Sequence, residues 1–301
     1  MKGKIRKGVS GFYYLDAGDG RVYICRAKGI FRKQGIKPLV GDDAEFEVVH
    51  EQDAEGSLTR ILPRKNAILR PPVANVDQAL VVFAIKRPNP SFYLLDRFLI
   101  MMKQQNLPVL ICFNKGDISS VEDRQSLAQA YTGCGYPVLF LSVAKEEGID
   151  ELKSLLAGKT TVIAGPSGVG KSSLINLLHP QAGMEVGALS KKIERGKNTT
   201  RHAEIFPILR DEREADSWIM DTPGFSSLFL KDVESTSLKN YYPEFEPYLE
   251  QCKFAGCMHL SEPVCGVKTA VEAGEISRIR YENYRMFYEE LKGNRPVYKK
   301  V

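Results

Sequence analysis

The chain has 301 residues, enough for two or three domains, with 43% hydrophobic and 26% charged residues, ordinary values for a soluble globular protein. Its longest clean apolar run, Ala79 to Ile85, is too short to span a bilayer. No secretion-signal pattern follows Met1, so a cytoplasmic protein that does not meet the membrane is expected. The first 70 residues hold 14 Lys/Arg against 9 Asp/Glu, so the whole net charge of +5 sits there. Such a basic segment suits a polyanionic partner, and it also suits a plain solvated face.

Residues 1–70 read as short strands, among them Gly11–Leu15, Arg21–Cys25 and Ala44–Val49. Gly18-Asp19-Gly20 and Gly41-Asp42-Asp43 punctuate them. A five-stranded barrel of the OB type fits, and another small barrel fits nearly as well. Pro71-Pro72 marks a boundary. From there to residue 228, strands and helices alternate. Strands are expected at Ala79–Ile85, Val109–Phe113, Val138–Leu141, Thr160–Ala164, Ile205–Leu209 and Ser217–Met220. Helices are expected at Leu94–Gln105, Asp123–Tyr131, Ile149–Leu156 and Lys171–Leu178. This alternation predicts a parallel sheet covered by helices.

Gly165-Pro166-Ser167-Gly168-Val169-Gly170-Lys171-Ser172 lies between a strand and a helix. Glycines there let backbone N–H groups curl around phosphate, and the helix N-terminus adds its positive end. Lys171 would bridge the β- and γ-phosphates, the Ser172 hydroxyl would ligate Mg²⁺, and Ser173 would meet the α-phosphate. Asn114-Lys115-Gly116-Asp117 ends a strand and has the pattern that reads guanine. The Asp117 carboxylate accepts from N1–H and the 2-amino group, Asn114 supports the loop, and the Lys115 stem covers the ring. Adenine offers Asp117 neither proton, which disfavours an ATP-using enzyme. Ser142-Val143-Ala144 occupies the place of a second base-contacting loop. Asp221-Thr222-Pro223-Gly224 follows the last strand. There Asp221 would hold a Mg²⁺-bound water and the Gly224 N–H would meet the γ-phosphate. Phe225 stands where a water-orienting Gln is usual. The base-reading motif precedes the phosphate loop, so the G domain reads as circularly permuted.

Between Pro180 and His202 lies a switch segment ending Asn198-Thr199-Thr200-Arg201-His202. Thr200, rather than Thr199, would bind Mg²⁺. Lys191, Lys192, Arg195, Lys197 and Arg201 suit a loop that meets an anion.

Residues 229–301 read as a helical tail. Cys252-x₄-Cys257-x-His259-x₅-Cys265 supplies three thiolates and one imidazole, a closed tetrahedral Zn²⁺ set that is structural rather than catalytic. Cys25, Cys112 and Cys134 read as small buried residues. Ile276, Ile279, Tyr284, Phe287, Tyr288 and Leu291 form an apolar helical stripe. Arg278, Arg285 and Lys292 recur on another face.

Together these residues resemble the RsgA (YjeQ/YloQ) family of small-ribosomal-subunit-dependent GTPases, over essentially the whole chain. The resemblance rests on the motif order from Asn114–Asp117 through Gly165–Ser172 and Thr199-Thr200 to Asp221–Gly224, on the Cys252, Cys257, His259, Cys265 set, and on the barrel-like N-terminus. It implies an OB-fold over 1–70, a permuted α/β G domain over 71–228 and a zinc domain over 229–301. It also implies late maturation of the small subunit, binding to its ribosomal RNA, and GTP hydrolysis stimulated by that subunit. Members often carry His just before the Thr-Thr pair, where this chain has Asn198. Asn198 positioning the attacking water is one reading, and His202 is another. Arg32 and Lys33 are candidate RNA contacts. A monomer is expected. The alternative is a GTP-dependent binding switch on another RNA complex, with incidental hydrolysis. In either case the switch at Asp221–Phe225 leads directly into the cysteine-bearing tail, which it would pull as it reorders.

Overall fold

The computed structural model describes residues 1–33, 35–68, 71–131, 133–184, 203–208, 216–221, 230 and 233–293, apart from the side chains of Ile30 and Arg32. Five strands open the chain: β1 (Lys2–Val9), β2 (Phe12–Asp16), β3 (Val22–Ala27), β4 (Asp43–His50) and β5 (Glu55–Ile61). The short helix α1 (Ile30–Lys33) lies between β3 and β4. The strands pair in the order β1-β2-β3-β5-β4, and β1 also pairs with β4, so the sheet closes into a barrel. Only β3 and β5 run parallel; the other pairs are antiparallel. Alternation along each strand turns Ile5, Leu15, Tyr23, Cys25, Ala44, Phe46 and Leu58 into a shared core. The OB-type expectation matches this closed five-stranded barrel.

A hairpin of β6 (Ala67–Ile68) and β7 (Val73–Ala74) follows. Gly41, at the turn before β4, has φ +91°, and a Cβ there would sit 2.2 Å from the Ala74 carbonyl oxygen. Only glycine lets the barrel turn approach this hairpin so closely. Next come β8 (Gln78–Ala84), α2 (Phe92–Gln104), β9 (Val109–Asn114), α3 (Val121–Tyr131), β10 (Val138–Phe140), α4 (Ile149–Leu156), β11 (Thr160–Ala164), α5 (Lys171–Leu178), β12 (Glu204–Pro207) and β13 (Trp218–Asp221). Ser91 caps α2, its hydroxyl accepting from the Leu94 N–H at 3.3 Å. Every residue of β8, β9 and β11 is buried, as continuous apolar runs dictate for strands covered on both faces. The tail contains two 3₁₀ stretches, Ser235–Tyr241 and Pro243–Gln251, then α6 (Gly266–Glu272) and α7 (Arg278–Gly293).

These elements gather into two compact units. One combines residues Met1–Leu80 with Ile149–Ser226, and the other combines Val81–Gly148 with Ser227–Val301. In the first, β11 pairs in parallel with β13, whose other edge takes β12. β12 is antiparallel to β13, where alternating strands and helices predict a parallel neighbour. Its outer edge meets β1 of the barrel at Lys7↔Glu204, reinforced by a 2.9 Å Lys7–Glu204 ion pair and by Arg6 Nε donating to the Ile205 carbonyl at 3.3 Å. In the second, β9 and β10 run parallel, and α7 packs on α2 and α3.

The α2–α7 packing corrects the expected stripe. Tyr284, Phe287 and Leu291 are buried, but Ile279 is 37% exposed and Arg280 is 1% exposed in its stead. Arg280 donates to Asp96 of α2 at 2.6 Å and, through Nε and Nη2, to Glu244 at 2.7 and 3.0 Å. Asn283 and the Tyr131 hydroxyl donate to the same Asp96 at 2.6 and 3.0 Å. Tyr93 stacks on Phe287 with centroids 4.2 Å apart, and Arg97 pairs with Glu290.

Candidate nucleotide and metal sites

The residues expected to read the base form one hydrogen-bonded cluster in the second unit. β9 ends at Asn114, which is 2% exposed and whose side-chain oxygen accepts from the Val143 N–H at 3.1 Å. Lys115 then takes a left-handed conformation, φ 67°, and a 3₁₀ turn carries Gly116 to Ile118. The Gly116 N–H donates to the Leu141 carbonyl at 3.0 Å, which ties the turn to the end of β10. The Ser142 hydroxyl donates to Asp117 Oδ1 at 2.8 Å and accepts from the Lys145 N–H at 3.2 Å. Thus Ser142 and Val143 grip Asp117 and Asn114 respectively, while Ala144 is exposed beside them. The Lys115 ammonium donates to the Arg87 carbonyl. Burial lowers its pKa, and Asp117 acts in the opposite direction.

The phosphate-loop residues form a cluster in the first unit. β11 delivers Gly165, and Gly170 caps α5 in a left-handed conformation, φ 99°, which its missing Cβ permits. Gly165 and Gly168 have φ of 141° and 78°. Val169 is buried and anchors the loop, while Ser167 and Gly168 are exposed. Lys171 Nζ donates to the Gly165 and Pro166 carbonyls at 2.9 and 2.7 Å. Burial lowers the Lys171 pKa, with Asp221 opposing. Ser172 and Ser173 fill the first turn of α5, whose leading N–H groups have no helical partner. The parallel register sets Asp221 beside Ile163, two residues before the loop. Hydroxyl and carboxylate oxygens are the donors Mg²⁺ takes, so Ser172 and Asp221 suit that ion. Thr199, Thr200, Asn198, His202, Gly224, Phe225 and the switch cations from Lys191 to Arg201 lie outside the described residues.

Cys252, Cys257, His259 and Cys265 converge, with one ligand atom from each within 4.8 Å of the others. His259 turns Nδ1 toward the sulfurs, 3.6 Å from Cys252 and 3.4 Å from Cys265. Burial pushes the Cys257 thiol up to about 12 and the Cys265 thiol up, and holds His259 down at about 4. A buried set of this kind needs a cation before its thiols can ionise, and three sulfurs plus one imidazole fit tetrahedral zinc. Supporting groups that sequence reasoning missed surround it. The Tyr281 and Tyr284 hydroxyls of α7 donate to the His259 and Met258 carbonyls at 2.6 and 2.7 Å. The Glu262 carboxylate accepts from the Met258 and Leu260 N–H groups. Cys25, Cys112 and Cys134 are buried free thiols.

On the barrel, Lys4, Arg6, Lys7, Lys28, Arg60 and Arg64 are ion-paired. Lys2, Arg26, Lys33 and Lys37 are exposed, with no ion pair among the described residues, and Arg26 lies over the Phe12 ring. In the tail Arg278, Arg285 and Lys292 are exposed, and Arg285 pairs with Glu282. No helix among the described residues is long and apolar enough to cross a membrane.

Residues 61–231 match the RsgA GTPase family, and residues 2–57 match the RsgA N-terminal domain. The "Small ribosomal subunit biogenesis GTPase RsgA" of Agathobacter rectalis is 52% identical over 99% of this chain and 100% of that one. The protein of the same name from Geobacillus thermodenitrificans is 44% identical over 99% of both chains. YjeQ from Thermotoga maritima superposes with a TM-score of 0.77 at 36% identity, covering 98% of this chain and 99% of that one. YloQ, described as a circularly permuted GTPase, gives 0.74 at 39%, covering 99% and 96%. With family models matching residues 2–57 and 61–231 and similarity running along the whole chain, the protein belongs to the RsgA GTPase family.

Proposed function

We propose that this protein hydrolyses GTP in late maturation of the small ribosomal subunit, binding the subunit through its ribosomal RNA in the GTP state and leaving after hydrolysis. The observation that carries this is the prebuilt base-reading cluster, in which Ser142 holds Asp117 ready for two guanine protons. One GTP would be read by Asn114, Lys115, Gly116, Asp117, Ser142, Val143 and Ala144. Its phosphates would be held by Gly165–Ser173, with Lys171 on the β- and γ-oxygens. Ser172, Thr200 and, through water, Asp221 would hold Mg²⁺, which neutralises charge on the bridging phosphate oxygens. Gly224 would donate to the γ-phosphate and Asn198 would position the attacking water. Zinc would be structural, on Cys252, Cys257, His259 and Cys265.

The division 1–70, 71–228 and 229–301 separates an RNA-binding barrel, the G domain and a zinc domain, in a monomeric cytoplasmic protein. Phe225 in place of a water-orienting Gln implies slow intrinsic hydrolysis. It also favours a second reading, a GTP-dependent switch on another RNA complex. Multiple-turnover GTPase assays with and without purified small subunits separate the two. Strong stimulation is expected, and its absence would leave the passive switch.

A further inference from the structure

We propose that Arg124 is a positioning residue for guanine recognition, holding the turn that presents Asp117. The inference rests on the reading that Asp117 accepts the guanine protons. Arg124 lies on α3, seven residues beyond Asp117 and outside every nucleotide-binding motif. Its Nη2 donates to the Gly116 carbonyl at 2.8 Å, and its Nε donates to the Ser119 hydroxyl at 3.0 Å. That hydroxyl donates in turn to the same Gly116 carbonyl at 2.9 Å. The guanidinium, Ser119 and the peptide immediately before Asp117 thus close a small ring of hydrogen bonds. A Cβ on Gly116 would stand 2.8 Å from Arg124 Nη2 and 3.1 Å from the Leu141 carbonyl oxygen. The third residue of the motif thus lies close between the Arg124 guanidinium and the end of β10.

The need for such a grip is visible in the backbone. Lys115 has φ 67°, a left-handed conformation that a residue with a side chain keeps only where its surroundings hold it. The carbonyl of the next residue, Gly116, is the one Arg124 seizes with a charge-assisted hydrogen bond, stronger than a neutral one. Ser142 fixes the Asp117 carboxylate from the other side. The side chain is thus set by the second loop, and the main chain by α3. Arg124 touches no atom of the base in this assignment; it acts through Asp117.

The test uses the full chain and compares GDP with IDP, which lacks the 2-amino group that Asp117 receives. Arg124→Met should weaken GDP about tenfold, the size of one such hydrogen bond. IDP should weaken less, so the GDP-over-IDP preference falls several-fold. Arg124→Lys, with one donor able to reach the carbonyl, should keep part of that preference. Ser119→Ala gives the same readout in case the methionine variant does not fold. An equal loss for both nucleotides, or none, overturns the proposal whatever happens to the thermal midpoint. In parallel, Asp117→Asn should move the preference toward XDP, whose 2-oxo group accepts from an amide. If it does not, the base-reading role falls, and the Arg124 assignment falls with it.

Discussion

At the residue scale, the deeply buried charges between α2 and α7 form one network. Arg280 is 1% exposed, Asp96 0%, and Glu244 completes the set with Asn283 and Tyr131. Removing one member of a buried ion network strands the others, at a cost of about 3–5 kcal/mol. Arg280→Met should therefore destabilise the protein by that amount in urea unfolding of the zinc-loaded chain. Changing Asp96→Leu and Glu244→Leu as well should recover much of the loss. This network was illegible in the sequence. Arg280 sits between Ile279 and Tyr281 with nothing in its local pattern to mark it as buried, and its partner Asp96 lies 184 residues away. Arg124 escaped for a related reason, since only the register of α3 over the turn brings it to Gly116. The phosphate loop, the base-reading motif and the cysteine set were legible because local sequence spacing itself builds each of them.

At the element scale, the tail depends on the metal and on α7 together. The loop bearing Met258 and His259 is held by two tyrosine hydroxyls of α7, and Gly266 leads α6 away from Cys265 against the Tyr248 carbonyl. Extraction of zinc with a chelator should loosen residues 252–265 and expose their amides to hydrogen exchange first, while β8, β9 and the barrel stay protected. The sign of the pH effect follows from the thiols. Burial keeps the Cys257 thiol protonated up to about 12 and His259 neutral down to about 4. Zinc must therefore displace protons from cysteines but none from the imidazole. Affinity should fall as pH falls, and binding at neutral pH should release protons, measurable by calorimetry in buffers of different ionisation enthalpy. Strand and helix extents in the central region were largely visible from the change of period, but β12 was not fully so. Its four residues are too few to show a direction, and their antiparallel pairing depends on the barrel strand on their other edge.

At the scale of the whole molecule, the proposed cycle predicts that small subunits bind the protein more tightly with a non-hydrolysable GTP analogue than with GDP. Co-sedimentation over a salt series should show that difference, and equal affinities would count against release by hydrolysis. The tail shares a unit with the base-reading loops, held there by α2 and α7. The barrel has a direct line to Asp221. β12 is clasped on one side by β1, through Lys7 and Arg6, and on the other by β13, which carries Asp221. A load on β1 would therefore reach β12 and β13 through their shared edges, so the strand that ends in Asp221 rides on the barrel wall.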